Sequence, residues 1–91
     1  MGTFHQNKHE LHGITIVVET DGPELYVGRC DDIDDRGVTL HDAECHRDGA
    51  SGSSRAEYLG RAVRVGVFPR LRSVVVPGRS VVSIRRLADL G

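Results

Sequence analysis

The chain has 91 residues, a formal net charge of −1, two cysteines, eleven glycines and no tryptophan. That length makes one domain with a small core, for which self-association is a plausible source of further burial. No run approaches the roughly 20 apolar residues of a membrane-spanning helix. Residues 1–12 are polar and lack the apolar centre of a signal peptide, so a cytoplasmic, membrane-free protein is expected.

In chain order, residues 1–12 (MGTFHQNKHELH) read as an N-terminal arm or short helix, and residues 13–91 as one domain. Ile14, Ile16 and Val18 alternate on one face, a strand signal. Asp21-Gly22-Pro23-Glu24 supplies turn chemistry. Residues 25–30 resume as a strand, and Gly28 inside it marks a bulge or sharp bend. The acidic run Asp31, Asp32, Asp34 and Asp35 reads as a solvated strand end closing on Arg36-Gly37, rather than as a metal or acid-base site. Residues 38–43 begin a third strand. Residues 48–70 form a variable insertion that opens with the Gly/Ser-rich stretch DGASGSSR. Within it, residues 62–68 alternate again and read as a strand rather than a helix. Residues 71–76 rebuild a strand, Pro77-Gly78 is a tight turn, and residues 80–84 make the last strand. Short strands joined by turns predict an all-β meander or small barrel.

Charge is unevenly placed. Residues 1–54 carry four basic and eleven acidic groups, whereas residues 55–91 carry eight arginines against Glu57 and Asp89. Arginine forks fit phosphates and carboxylates and stack on bases. Two explanations stay open: the halves neutralise each other within the domain or across subunits, or the second half offers a nucleic-acid surface. The overall acidic balance argues against tight non-specific DNA binding.

Metal and catalytic chemistry have little support. His5, His9 and His12 would share a helix face, but no second ligand cluster accompanies them. His41, Cys45 and His46 bring nitrogen and sulfur close in sequence, yet on a strand position 46 points away from 41 and 45, and only Cys30 from the neighbouring strand could complete a set. Two cysteines are too few for a disulfide scaffold; they read as reduced thiols, with a cross-strand disulfide as the alternative. Ser51, Ser53 and Ser54 have no partner pattern, and no nucleophile elbow or phosphate loop is present. The expectation is no enzyme, no cofactor and no metal.

Two stretches resemble the bipartite signature of the Sm and Sm-like (LSm, Hfq-related) family. The first covers residues 14–43, with the Asp21-Gly22 turn, the strand glycine Gly28, Asp34 six residues later and Leu40-His41-Asp42-Ala43 at the end. The second is Val76-Pro77-Gly78-Arg79-Ser80-Val81-Val82-Ser83-Ile84. Together they cover about forty of the 91 residues and flank a variable loop. The resemblance implies a strongly bent five-stranded antiparallel barrel that closes into a homo-oligomeric ring, a hexamer or heptamer. It further implies that two turns face the ring's pore and bind single-stranded RNA, here through Asp34, Arg36, Gly37, Gly78, Arg79 and Ser80. The oligomer interface would use Val74, Val75, Val76, Val81, Val82 and Ile84 on the two sheet edges. Departures fall on the RNA-gripping positions. Gly37 stands where uridine-binding members carry Asn, Pro77 replaces their Arg, and Ser80 replaces their second Asn. Arg36 and Arg79, beside those positions, are the arginines placed to supply the lost cation. The alternative function is an oligomeric scaffold or interaction module without uridine readout.

Overall fold

The computed structural model describes residues 11–48 and 54–90. The expected arm or helix of residues 1–12 therefore lies almost wholly outside the described residues, as do His5, His9 and most of the Gly/Ser-rich connection. Five strands form: β1 (Thr15–Thr20), β2 (Glu24–Asp34), β3 (Gly37–Arg47), β4 (Leu71–Pro77) and β5 (Val81–Arg86). All neighbouring pairs are antiparallel, in the order β4-β3-β2-β1-β5. No helix among the described residues is long and apolar enough to cross a membrane.

Alternation in β1 explains the layering. Ile16 and Val18 face one core cluster, with Cys30, Ile33, Val38, Leu40, Ala43 and Val76. Val17 faces the other, with Leu25, Val27, Tyr58, Ala62 and Leu87. Both faces of β1 are thus buried, and each fully buried Val, Leu or Ile stabilises the fold by about 1.5–3 kcal/mol. Gly28 is the bend the sequence announced. The β2–β3 register slips between Val27 and Arg29, and a β-carbon on Gly28 would lie 2.6 Å from that of Ala43. Opposite it, Asp42 takes a φ of 51°, a conformation that Asp tolerates better than most residues. The bulge sharpens the local bend of the sheet, and the β3–β4 ladder ends with Gly37 opposite Pro77. Cys30 is buried and Cys45 exposed, and both are free thiols. Burial and the nearby Asp31 and Asp32 push the Cys30 thiol up.

The insertion differs from expectation. Residues 62–65, read as strand, belong to an α-helix, α1 (Arg55–Val65). Its start is a capping box: the Ser54 hydroxyl accepts from the Glu57 N–H at 3.1 Å, and the Glu57 carboxylate accepts from the Ser54 N–H at 2.9 Å. Two orphan donors of the first turn are satisfied reciprocally. The end is Gly66 at φ 87°, whose N–H donates to the Ala62 carbonyl. The short alternation after Ala62 is one edge of an amphipathic helix whose buried residues are Tyr58 and Ala62, four apart.

Besides the apolar packing of Tyr58 and Ala62, a buried carboxylate ties α1 to the sheet. The Glu44 side chain, 9% exposed, accepts from the Tyr58 hydroxyl at 3.0 Å and from the Phe68 N–H at 3.4 Å. Arg61 Nη2 donates to it at 3.5 Å, and Arg70 Nε lies 3.7 Å away. Burial, then the bond to Glu44, raises the Tyr58 hydroxyl well above its ordinary value, so it stays a donor. Arg55 and Arg85 likewise reach Glu19 at 3.7 and 3.3 Å, and Arg55 reaches Asp48 at 3.2 Å. Much of the charge asymmetry between the halves is thus neutralised within the domain.

Candidate nucleic-acid interface

Two turns meet at one end of the sheet. The first, Asp34-Asp35-Arg36-Gly37, joins β2 to β3; the second, Gly78-Arg79-Ser80, is a single 3₁₀ turn joining β4 to β5. Register places Gly37 opposite Pro77, and the Gly78 N–H donates to the Arg36 carbonyl at 3.0 Å. The approach is close enough to demand glycine. Gly37 has φ 143°, and a β-carbon there would overlap the Val76 carbonyl oxygen and sit 2.7 Å from the Gly78 nitrogen. Gly78 itself has room, its added β-carbon coming no nearer than 3.6 Å to Gly37. The Asp21 N–H donates to the Ser80 carbonyl at 2.9 Å, which ties the second turn to the β1–β2 turn as well.

The two arginines of this end are not equivalent. Asp34 folds back on its own turn, Oδ1 accepting from the Arg36 N–H at 2.9 Å and Oδ2 from Arg36 Nη2 at 3.3 Å. The Arg36 N–H, and then its guanidinium, hold the Asp34 carboxyl below its usual range. Arg36 is thereby partly committed, although its side chain is 80% exposed. Arg79 is exposed and has no ion pair among the described residues. Beneath the turns lies a cavity of about 190 Å³ lined by Ile33, Asp34, Gly37, Val38, Gly78, Val81 and Ile84. Among the described residues that line it, Asp34 is the only charged side chain and none is an aromatic, Asn or Arg.

All six turn residues singled out in the sequence therefore gather at one end. The six edge residues divide. Val76 is a core residue opposite Val38. Val74, Val81 and Ile84 are half-buried against the same cluster. Only Val75 on β4 and Val82 on β5 point outward, 49% and 65% exposed. These strands occupy the two ends of the strand order, so each has a free hydrogen-bonding edge among the described residues.

Among the described residues no group of three His, Cys, Asp or Glu side chains is placed to hold a metal ion, and His5 and His9 of the N-terminal set lie outside them. His41 lies 3.4 Å from Asp31, and His12 Nδ1 lies 2.7 Å from the Asp31 carbonyl. His46 instead stacks on Tyr58, ring centroids 4.7 Å apart. Sequence reasoning missed the Glu44 cluster; the one available signal was Ser54-x-x-Glu57, which announces the helix that supplies its partners.

No known sequence family matches the chain, and no curated protein does. Solved structures do. An Sm protein of Pyrococcus abyssii in complex with a uridine heptamer is similar at 23% identity, with 86% of this chain and 89% of that chain covered and a TM-score of 0.59. A chain of the NatC complex bound to CoA is similar at 23% identity, covering 85% of this chain and 79% of that chain, with a TM-score of 0.56. With the five-stranded bent antiparallel sheet, its strand order and the paired turns at one end, these likenesses give the chain an Sm-like fold.

Proposed function

We propose that the chain assembles head to tail through β4 and β5 into a homo-oligomeric ring of about six or seven copies. In this reading it binds single-stranded RNA around the pore and is not an enzyme. The observation that carries the proposal is the pair of free sheet edges, each bearing one outward valine, Val75 and Val82. Unpaired edges with apolar side chains invite strand addition from another chain, and a heterologous contact whose rotation closes makes a ring. Each copy would then contribute one Gly37–Gly78 end to the pore, so an unpaired Arg79 is repeated around it. Several arginines converging on a backbone give phosphate affinity that falls with salt.

Uridine selection is not part of this reading. The residues that line the cavity under the turns include no Asn, Arg or aromatic ring, and the Asp34 carboxylate among them is engaged with Arg36. RNA would be held through its backbone with little sequence preference. That same loss favours a second reading, a scaffold subunit in a larger protein assembly; the NatC chain shows this fold within a multiprotein complex. Fluorescence polarisation with short uridine- and adenine-rich RNAs across a salt series separates the two. The RNA-binding ring predicts similar affinity for both sequences and steep weakening with salt. It also predicts about a tenfold loss on Arg79→Ala, because hydrogen bonds to charged groups are worth roughly 1.5–3 kcal/mol. No binding at low salt leaves the scaffold.

A further inference from the structure

Away from the turns, the insertion leaves one aromatic ring in the open. Phe68, just beyond α1, is 50% exposed; Tyr58 is buried and Tyr26 half-buried. The ring is held in place. The Arg61 guanidinium carbon sits 5.3 Å from the Phe68 centroid and 5.2 Å from that of Tyr58, and Tyr58 stacks in turn on buried His46 at an interplanar angle of 14°. The Phe68 N–H is tied to Glu44. His46, Tyr58, Arg61 and Phe68 thus form a column, footed in the core and ending in a half-exposed phenyl.

Two arginines lie close to this column, Arg61 over the ring and Arg70 two residues beyond it at Glu44. Arg70 reaches Glu44 only at 3.7 Å, and its side chain is 76% exposed. Arg64 and Arg72, on either side in sequence, are exposed and have no ion pair among the described residues. The one carboxylate of the column, Glu44, is already surrounded by donors. A half-exposed aromatic ring beside the largely exposed Arg70 guanidinium fits a ligand with both a π-face and negative charge. An apolar peptide would leave the arginines unmatched; a nucleotide strand matches both features.

We propose that Phe68 is a stacking platform for a nucleobase of single-stranded RNA, with Arg70 contacting the flanking phosphate. The platform is a second contact outside the pore turns; it rests on the RNA reading for its ligand class but not on Arg79. The test is polarisation with a uridine oligomer and an abasic ribose-phosphate oligomer of equal length. Wild type, Phe68→Leu, Phe68→Trp and Arg79→Ala are compared. Phe68→Leu keeps the apolar bulk, so the fold is preserved while the π-face is lost. Its affinity for the uridine oligomer is expected to fall at least about fivefold, base–aromatic stacking being worth roughly 1–3 kcal/mol per base. Affinity for the abasic oligomer is expected to stay unchanged, and Phe68→Trp to restore uridine binding. Unchanged binding by Phe68→Leu, or equal loss for both oligomers, overturns the platform. If Arg79→Ala weakens binding and Phe68→Leu does not, the platform alone falls; if wild type binds neither oligomer, the RNA reading falls with it. Should Phe68→Leu fold poorly, photocrosslinking of wild type to a bromouridine oligomer decides. An adduct within residues 66–70 supports the platform, and adducts confined elsewhere overturn it.

Discussion

Replacing Gly37 with alanine is expected to cost about 3 kcal/mol of stability and to pull the two turns apart. Part of the loss is backbone strain, since a φ of 143° is a region L-residues rarely enter and such outliers cost of order 1–3 kcal/mol. The rest is overlap. The added β-carbon meets backbone, the Val76 carbonyl and the Gly78 nitrogen, and not a side chain that can swing away. Relief requires breaking the Gly78–Arg36 hydrogen bond, which is the link between the turns. Urea denaturation measures the loss. A Gly37→Ala midpoint within error of wild type would show that the turns do not touch as described. The same geometry bears on the family comparison. Asn stands at this position in uridine-binding members, yet grafting Gly37→Asn here would add the same β-carbon. It is therefore expected to unfold the turn, not to create a uridine pocket.

Glu44→Ala is expected to destabilise the chain by about 2–3 kcal/mol and to loosen α1 while sparing the strands. Removing a carboxylate leaves the buried Tyr58 hydroxyl and the Phe68 N–H without their acceptor, and an unsatisfied buried group costs about 1–3 kcal/mol. Breaking a fully buried ion pair would cost more, but Arg61 and Arg70 are exposed enough to turn to water. Glu44→Gln keeps an acceptor and should cost about half as much. Hydrogen exchange localises the effect: the amides of α1 lose protection in Glu44→Ala, while those of β1 and β2 keep it. Equal loss in both would mean that the helix and the sheet form one cooperative unit.

These two residues also mark how far the sequence could be read. The strands were legible because Ile14, Ile16 and Val18 alternate and Val74-Val75-Val76 form a β-branched run, and the bend because Gly28 interrupts the strand of residues 25–30. The helix was not. Its Ser54-x-x-Glu57 start was present, but Gly60, Val63 and Val65 are poor helix formers, and residues 62–68 alternate as a strand would. Missing α1 meant missing the Glu44 cluster, since a lone Glu on a strand reads as solvent-facing until Tyr58 and Arg61 arrive from another element. At the turns, motif spacing picked out six residues that the fold gathers at one end of the sheet. What it could not give was register: only the Gly37–Pro77 pairing shows why glycine is required, and only the folded Asp34 turn shows that Arg36 is partly spent while Arg79 is not. On the edges, the valine-rich pattern did not separate Val76, which fills the core, from Val75, which faces out. That division depends on which face of β4 meets the core of Ile16, Val18 and Leu40, a long-range contact that spacing does not encode.

Native mass spectrometry of the full chain at micromolar concentration tests the ring most directly. The account predicts a single closed homo-oligomer of about six or seven copies, converted to smaller species by Val75→Asp or Val82→Asp because a charge at either edge opposes strand addition. A wild-type chain that remains monomeric under those conditions would contradict it.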